Sequence, residues 1–224
     1  MQGLKYCVDL VFCIDSTGSM NPVISEVKER AAKFHTDLTA KMVEKDKKID
    51  QLRLKVLDFK DFYADGESAL KESKFFNIPE NNEAYTSFLS SIRADGGGDE
   101  PENGLEALSL AIKSEWTKDG DRRRHVIVMF SDASAHKLEY KADSKPANYP
   151  QDMPANMDEL TDLWEGQSGM NNSAKRLLLF TRDAYPWTDI SNHWSNTIHF
   201  ASRAGEGLQE IEYEEILNAI ASSV

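Results

Sequence analysis

Residues 8–20 read VDLVFCIDSTGSM, which places one carboxylate and three hydroxyl side chains where an apolar run ends. The run from Tyr6 to Asp15 is dense in apolar and β-branched residues, and this pattern predicts a buried strand. Asn21 and Pro22 follow closely, and proline is favoured at an early position of a helix. The sequence therefore predicts a strand, a short polar turn that begins at Asp15, and then a helix.

Strand patterns alternate with helical patterns along the whole chain. The predicted strands cover 6–15, 51–59, 74–78, 124–132, 175–183 and 196–202, with 51–59 half-buried because its polar and apolar residues alternate. The predicted helices cover 23–45, 83–92, 104–116, 157–166 and 210–224. This alternation predicts a doubly wound α/β fold, in which a mainly parallel sheet carries helices on both faces.

The chain has 224 residues, of which 40% are hydrophobic, so it can bury a substantial core. It shows neither an internal repeat nor a linker that would separate two domains. We therefore expect a single domain over residues 1–224, interrupted by a loop-rich excursion at about 133–172. Three prolines in that excursion, at positions 146, 150 and 154, favour loop structure.

The net charge of −12 bears on the class of partner. An acidic surface repels phosphate backbones and anionic lipids, so we expect neither a nucleic acid nor a membrane as the partner. The charge fits a cation site, and it fits plain solubility equally well. Cys7 and Cys13 lie on one predicted strand, about 20 Å apart, which is too far for a disulfide. Unbridged cysteines favour a cytoplasmic location.

Asp15, Thr17 and Ser19 stand at alternate positions in the polar turn, so their oxygen atoms can face one small region. Hard divalent cations such as Mg²⁺ prefer oxygen ligands. Asp132 ends a second buried strand, VIVMFSD, and ligands of parallel sheets bind beyond the carboxyl ends of strands. We therefore expect Asp132 to join the same site. The alternative for the turn is a helix N-cap without any metal.

The segment VDLVFCIDSTGSM resembles the first strand and the metal-ion-dependent adhesion site (MIDAS) of the von Willebrand factor A (VWA) domain family, and VIVMFSDA is similar to a later strand of that family. The resemblance implies a Rossmann-like fold with a divalent cation at the carboxyl edge of the sheet. It assigns Asp15, Thr17, Ser19 and Asp132 as ligands. Mg²⁺ is the expected cation, with Mn²⁺ or Ca²⁺ as alternatives. The expected partner is another protein, whose acidic or oxygen-rich group completes the metal shell.

The middle loop departs from the family pattern, which has a threonine where this chain reads GGGDEPENGLEAL. This form resembles the GGGDxPE subgroup, which includes hemicentin-like and alpha-kinase-associated VWA domains. Asp99 is the first candidate for the vacant ligand position, because it directly follows three glycines that permit a close approach. Glu102 is the second candidate. It can instead complement the dipole of the following helix without contacting a metal.

Two further residues are candidates for the metal site or its rim. Ser16 lies within the polar turn, and His136 follows Asp132 in the sequence SDASAH. A loop histidine can also be simply solvated, and Mg²⁺ would not favour it as a ligand. Other polar and aromatic residues receive structural interpretations: Asp58, Asp61 and Asp65 are expected at an exposed strand end and turn, and Trp164 and Trp187 in the core or at the rim.

These observations predict a divalent-metal-dependent protein-interaction domain that acts as an intracellular adaptor or signalling component. An enzyme is not expected, because the chain lacks a phosphate-binding loop and a nucleophile elbow. Phosphatases of the haloacid-dehalogenase type need Asp-x-Asp, whereas Thr17 stands at the second position here. Two alternatives remain: a metal-dependent phosphoester hydrolase, and a degenerate VWA scaffold that binds partners away from the metal site.

Overall fold

The computed structural model describes residues 4–98, 100–167, 169–202, 217–218 and 221. The strands are β1 (Tyr6–Asp15), β2 (Gln51–Phe59), β3 (Leu70–Glu72), β4 (Phe76–Ile78), β5 (Arg122–Ser131), β6 (Lys175–Arg182) and β7 (Thr197–Ser202). The helices are α1 (Ile24–Glu44), α2 (Phe62–Asp65), α3 (Asn82–Ser91), α4 (Gly104–Ile112), α5 (Met157–Asp162) and α6 (Trp187–His193).

All of these strands belong to one sheet in the order β3-β2-β1-β5-β6-β7, and β4 also pairs with β2. The strands β2, β1, β5, β6 and β7 run parallel, whereas β3 and β4 are antiparallel to β2. Helices cover both faces of the sheet. The predicted doubly wound α/β fold is therefore confirmed.

The strand order brings the ends of β1 and β5 together. These two strands are direct neighbours, and Ile14 pairs with Phe130. The next residues, Asp15 and Ser131, therefore reach the same edge of the sheet, and Asp132 follows there. From β1 the sheet continues on one side with β2, and from β5 it continues on the other side with β6. The carboxyl ends of β1 and β5 therefore lie at the switch point of the strand order.

Two hydrophobic layers hold the sheet between the helices. The layer under α1 and α3 contains stacked phenylalanines from three neighbouring strands: Phe12, Phe130 and Phe180. The opposite layer packs α4, α6 and the excursion against the other face. The strand β1 is buried on both faces, because it contributes Leu10 to the first layer and Val11 to the second.

Several local predictions need correction. The strand β2 is buried from Leu54 to Phe59 rather than half-buried, because its polar residues Lys55 and Asp58 are enclosed by neighbouring elements. The elements β3 and α6 were not predicted, since each is too short for a clear periodic pattern. The predicted closing helix at 210–224 lies largely outside the described residues, of which 217, 218 and 221 are helical.

The excursion at 133–172 is packed against the second layer through several residues. These are Ala135, Leu138, Leu160, Trp164 and Met170. Tyr149 anchors its middle, since its hydroxyl donates to the buried Glu106 of α4 at 2.7 Å and its ring lies against Phe62. Trp164 and Trp187 are both fully buried, which places them in the core and not at a rim. No helix in the described ranges has the length and hydrophobicity required to cross a bilayer.

We expect Phe34→Ala to lower the free energy of unfolding by about 3–5 kcal/mol. The Phe34 side chain of α1 is 1% exposed, and its ring meets that of Phe12 edge to face at 5.5 Å. Val43→Ala, on the same helix but 65% exposed, is the control and should change stability by less than about 0.5 kcal/mol. Urea denaturation measures both. Similar losses in the two variants would contradict this packing.

Candidate functional site: the carboxyl edge of β1 and β5

Two neighbouring hydroxyl groups bind the carboxylates at the ends of the two central strands. The Thr17 hydroxyl donates to Asp15 Oδ1 at 2.7 Å and lies 3.1 Å from Ser19 Oγ. Ser19 Oγ in turn donates to Asp132 Oδ1 at 2.9 Å. The structure therefore brings together the four residues that the VWA resemblance assigns to one site.

Asp15 lies beneath this site and is completely buried. Its carboxylate accepts the Thr17 backbone N–H at 2.9 Å and the Ser131 hydroxyl at 2.6 Å. Burial raises the pKa of Asp15 to about 6, although the hydrogen bonds from Ser131 and Thr17 oppose this rise. These contacts fix the orientation of Thr17, so that its hydroxyl is held at the edge of the sheet.

The glycine-rich loop closes over the turn from the other side. The Gly18 N–H donates to the Gly96 carbonyl at 3.1 Å. Gly96 and Gly97 have φ angles of +67° and +72°, which side-chain-bearing residues rarely adopt. The Gly97 N–H donates to the Asp65 carboxylate, and a side chain at position 96 would collide with that carboxylate. Glycine is therefore required at these two positions.

Glu102 is a buried carboxylate in this cluster, with 6% of its surface exposed. Its Oε2 atom is buried and has no hydrogen-bond partner among the described residues. Burial, and after it the carboxylates of Asp15, Asp61, Asp65 and Asp132 in that order, raise the pKa of Glu102 to about 9. The backbone of Glu102 is held in place, because its N–H donates to the Ser134 carbonyl and its carbonyl accepts the His136 N–H.

These groups line a cavity of about 210 Å³. Of the predicted residues, Thr17, Ser19, Glu102 and Asp132 line it, and Gly96, Gly97 and Gly98 form one wall. Asp99, the first candidate for the vacant ligand position, lies outside the described residues and stays a prediction. Burial raises the pKa of Asp132, and the Ser19 hydroxyl partly offsets this effect.

A salt bridge that the sequence reasoning missed completes the rim. Arg182 Nη1 donates to both carboxylate oxygens of Glu100 at 2.7 Å, and both residues line the cavity. Glu100 also accepts the backbone N–H and the hydroxyl of Ser134. Arg182 is the last residue of β6. Ligands of parallel sheets bind beyond the carboxyl ends of strands, so this position in the sequence could have indicated that Arg182 lies at the site.

The two predicted rim residues lie away from the cavity lining. Ser16 is fully buried, and its hydroxyl oxygen has no hydrogen-bond partner among the described residues. His136 is 9% exposed, and its ring stacks on Tyr140 with 4.0 Å between the centroids. The alternative of a solvated loop histidine is therefore wrong. As metal ligands, Ser16 and His136 remain predictions.

The acidic residues 58, 61 and 65 also differ from expectation. Asp58 and Asp61 are 3% and 4% exposed, and Asp65 is partly buried, so they do not form an exposed turn. The Asp61 carboxylate caps α2 by accepting the Tyr63 N–H at 2.7 Å. The sequence could not reveal this burial, because the glycine-rich loop that covers Asp61 and Asp65 is distant in the chain.

The donor set fits a hard divalent cation. Hydroxyl oxygens of Thr17 and Ser19 and carboxylate oxygens of Asp132 and Glu102 surround one small cavity, and hard cations prefer such ligands. The unpartnered Glu102 Oε2 is a buried acceptor that a cation would satisfy. No group of three or more His, Cys, Asp or Glu side chains suited to a metal is found in the described part of the chain. A cation here would therefore depend on the hydroxyl ligands as well.

No family model matches this chain. It is 31% identical over 159 residues to the alpha-protein kinase vwkA of Dictyostelium discoideum, a match that covers 70% of this chain. The chain spans only 23% of the length of that kinase.

Solved structures match this chain to different extents. The pilus adhesin SpaC from Lactobacillus rhamnosus GG matches 99% of this chain and 30% of its own with a TM-score of 0.57 and 14% identity. The vWF domain of the type V pili tip protein Mfa5 from Porphyromonas gingivalis matches 60% of this chain and 40% of its own with a TM-score of 0.42 and 16% identity, too low to establish a common fold by itself. The strand order and the likeness to SpaC identify the Rossmann-like fold that the VWA resemblance implied.

Without a cation, we expect Glu102→Gln to be more stable than the wild type at pH 8. The folded state raises the pKa of Glu102 from about 4.5 to about 9, so the folded protein holds a proton that the unfolded chain has released. The stability of the wild type should therefore fall as the pH rises through this window, and glutamine removes that loss. Thermal unfolding in EDTA from pH 5 to pH 8.5 measures the difference.

The advantage of Glu102→Gln should shrink toward pH 5, because the carboxyl of the unfolded chain, with a pKa of about 4.5, then begins to hold the proton as well. Glu80→Gln removes one charge at an exposed position between β4 and α3 and serves as the control. It removes no buried carboxyl, so it should not show the gain in stability that Glu102→Gln shows at pH 8. An advantage of Glu102→Gln that does not change across this range would show that the Glu102 carboxyl is not titrating as described.

Proposed function

We propose that this chain is a divalent-metal-dependent protein-interaction domain whose site is the cavity at the carboxyl edge of β1 and β5. The observation that carries the proposal is a cluster in which the Thr17 hydroxyl donates to Asp15, the Ser19 hydroxyl donates to Asp132, and the two hydroxyl oxygens lie 3.1 Å apart. It holds two hydroxyls and a carboxylate at the mouth of a cavity that also contains the unpartnered Glu102 oxygen. Mg²⁺ is the proposed cation, and Mn²⁺ or Ca²⁺ would use the same oxygens.

Each residue has a distinct proposed role. Thr17, Ser19 and Asp132 offer oxygens to the cation directly or through water, since they line the cavity. Asp15 orients Thr17 from below and supplies negative charge. Glu102 or Asp99 supplies the acidic ligand at the position where the VWA family has threonine. The placement of Glu102 supports it as the acidic ligand, and Asp99 is tested alongside it.

A bound divalent cation would act as a Lewis acid that accepts an oxygen ligand from a partner protein. The chain itself provides the conditions for that contact. The rim carries the Arg182–Glu100 salt bridge, and the N–H groups of Arg182 that Glu100 does not occupy can donate to an oxygen-rich group. Because the carboxylates reduce the net charge of the cation, a phosphate, a carbonyl or a water-bridged ligand can serve in place of a directly bound carboxylate.

The comparisons support a role in interaction in different ways. SpaC is described as a pilus adhesin, and vwkA as an alpha-protein kinase. The similarity to vwkA supports a role as an adaptor or signalling component, although this chain spans a minor part of that kinase. We also propose a cytoplasmic location, which the two unbridged, buried cysteines support.

We propose binding and not catalysis as the activity of this site. A histidine is a common general base in catalysis. The histidine nearest to Asp132 in the sequence is His136, and it lines a neighbouring cavity and not the proposed metal cavity. The hydroxyl of Ser19 donates to Asp132, which fits a ligand pair for a cation. Turnover of a phosphoester that needs Mg²⁺ and is lost in Asp132→Asn would instead favour the hydrolase alternative.

We expect the wild-type protein to bind one Mg²⁺ or Mn²⁺ ion per chain, measured by isothermal titration calorimetry. Asp132→Asn and Ser19→Ala should each weaken binding by at least about tenfold, because they remove an oxygen charge or an oxygen ligand from the cavity. Glu80→Gln is the matched control for loss of one negative charge, and its affinity should equal that of the wild type.

The same titrations on Glu102→Gln and Asp99→Asn decide which acid completes the site. A large loss in Glu102→Gln with little change in Asp99→Asn would assign Glu102, and the reverse would assign Asp99. If Asp132→Asn, Ser19→Ala and Glu80→Gln all bind like the wild type, the cation does not occupy this cavity and the proposal is wrong.

We expect the partner protein to be retained only when the metal site is intact. Affinity purification from an extract of the source cells, with tagged wild type in Mg²⁺, should retain a protein that is lost in EDTA and with Asp132→Asn. Glu80→Gln should retain it in Mg²⁺. A partner that binds equally well under all of these conditions would favour the degenerate scaffold, which uses a surface away from the metal site.

A further inference from the structure

A cavity of about 240 Å³ lies at the opposite edge of the sheet from the metal cavity, where the central strands begin. The first residues of β1 and β5 and the turn after α1 form its lining: Tyr6, Cys7, Lys47, Arg122, Arg123 and Arg124. Among these described residues, four carry a positive charge and none carries a negative one, although the whole chain has a net charge of −12. The ten residues of β5 span roughly 30 Å, which separates this cavity from the metal cavity.

The arginines of this edge gather on one face of the sheet. Val126 of β5 and Leu178 of β6 pack in the layer under α1. Side chains alternate between the two faces of a strand, so Arg122, Arg124 and, on β6, Arg176 belong to the same face. Arg176 pairs with Val126, two positions along β5 from Arg124. The layer under α1 therefore ends, at this edge, in three guanidinium groups that lie near one another.

These guanidinium groups lack compensating charge. In the described part of the chain, none of the three forms an ion pair with a carboxylate. Arg124 Nη1 donates to the Arg123 carbonyl at 2.8 Å, whereas the Arg124 Nε atom is buried without a hydrogen-bond partner among the described residues. Burial, and after it the positive charges of Arg176 and Arg122, lower the pKa of Arg124. Like charges held together in this way cost free energy that a bound anion would offset.

Acidic residues also occur at this edge, but their oxygens serve other groups. Asp50 Oδ2 accepts the Tyr6 N–H, and Asp121 Oδ2 accepts the N–H of the preceding residue, both at 2.9 Å. Asp119 acts on the thiol of Cys7, which alternates with Tyr6 and so points to the other face of the sheet. None of these three acids lines the cavity, and none pairs with an arginine of the described ranges. The excess of positive charge at the cavity therefore remains.

We infer that this cavity binds a phosphate dianion, either free or as the phosphoryl group of a larger ligand. Guanidinium groups bind phosphate oxygens through paired hydrogen bonds, and a phosphoryl group offers three terminal oxygens and nearly two negative charges. A carboxylate offers two oxygens and one charge, so it matches several arginines less well. Water occupies about 30 Å³ per molecule, so the cavity has room for the five heavy atoms of phosphate. The acidic remainder of the chain opposes a polyanion such as a nucleic acid.

The test measures binding of inorganic phosphate to the wild-type protein by isothermal titration calorimetry and by thermal unfolding. EDTA keeps divalent cations out of the metal cavity, and NaCl holds the ionic strength constant. We expect a dissociation constant below about 1 mM and a rise in the unfolding temperature with phosphate concentration. Sodium acetate at the same ionic strength should produce no comparable rise.

The double variant Arg122→Gln/Arg124→Gln should bind phosphate at least about tenfold more weakly. In phosphate-free buffer it should unfold at a higher temperature than the wild type, because it removes like charges that repel one another. The control is Lys71→Gln/Lys74→Gln, which removes two exposed positive charges near the carboxyl end of β2 and should keep wild-type affinity. If the double variant does not fold, Arg122→Gln alone, at an exposed position, should still weaken binding by at least about threefold.

A capped pentapeptide with phosphoserine between glycines identifies the source of the phosphoryl group. Binding at least about tenfold tighter than that of inorganic phosphate, and absent for the serine peptide, would indicate a phosphorylated partner protein. Binding no tighter than that of inorganic phosphate would indicate a free phosphate ion.

Three results would overturn the inference: no binding of either phosphate ligand at about 10 mM, equal stabilisation by acetate, or unchanged phosphate affinity in the arginine variants. Because the titrations contain EDTA and the arginines lie at the other edge of the sheet, failure of the proposed metal site would leave this inference standing.

Discussion

The arrangement of this edge of the sheet depends on one constraint: buried carboxylates gathered at the ends of two adjacent parallel strands must be compensated. Asp15 is compensated by three hydrogen bonds from Thr17 and Ser131, and Asp132 by the Ser19 hydroxyl. Glu102 has no such partner for Oε2 among the described residues. Without a cation, the raised pKa of Glu102 keeps a proton on this carboxyl, and a cation would take the place of that proton. This exchange links the metal site to the stability of the fold.

The surrounding elements serve to hold these carboxylates in position. The central strands are buried on both faces, so the phenylalanine layer under α1 and the packed excursion fix the ends of β1 and β5 from both sides. The glycine-rich loop approaches because Gly96 and Gly97 can adopt positive φ angles beside Asp65. The excursion is part of this support, since Tyr149 bonds the buried Glu106 one helical turn beyond Glu102.

Much of the fold and of the candidate site could be predicted from the sequence, because the patterns that predict them are local. The apolar run before Asp15 and the strand that leads to Asp132 defined the central strands, and alternate hydroxyls marked the turn. Burial of Asp61 could not be predicted, since it depends on a loop more than thirty residues away. The salt bridge of Arg182 with Glu100 and the stacking of His136 on Tyr140 are also tertiary contacts, which the sequence could not predict. Local patterns do not encode which distant segment covers a given side chain.

The most direct test of the central claim is a crystal structure of the protein grown with Mn²⁺, with anomalous scattering used to locate the ion. We predict one anomalous peak in the cavity between the hydroxyls of Thr17 and Ser19 and the carboxylate of Asp132, at direct or water-mediated ligand distance from each. The map should also show whether Glu102 contributes an oxygen. A fully ordered cavity without a peak at saturating Mn²⁺, or a peak only at another place on the protein, would contradict the account.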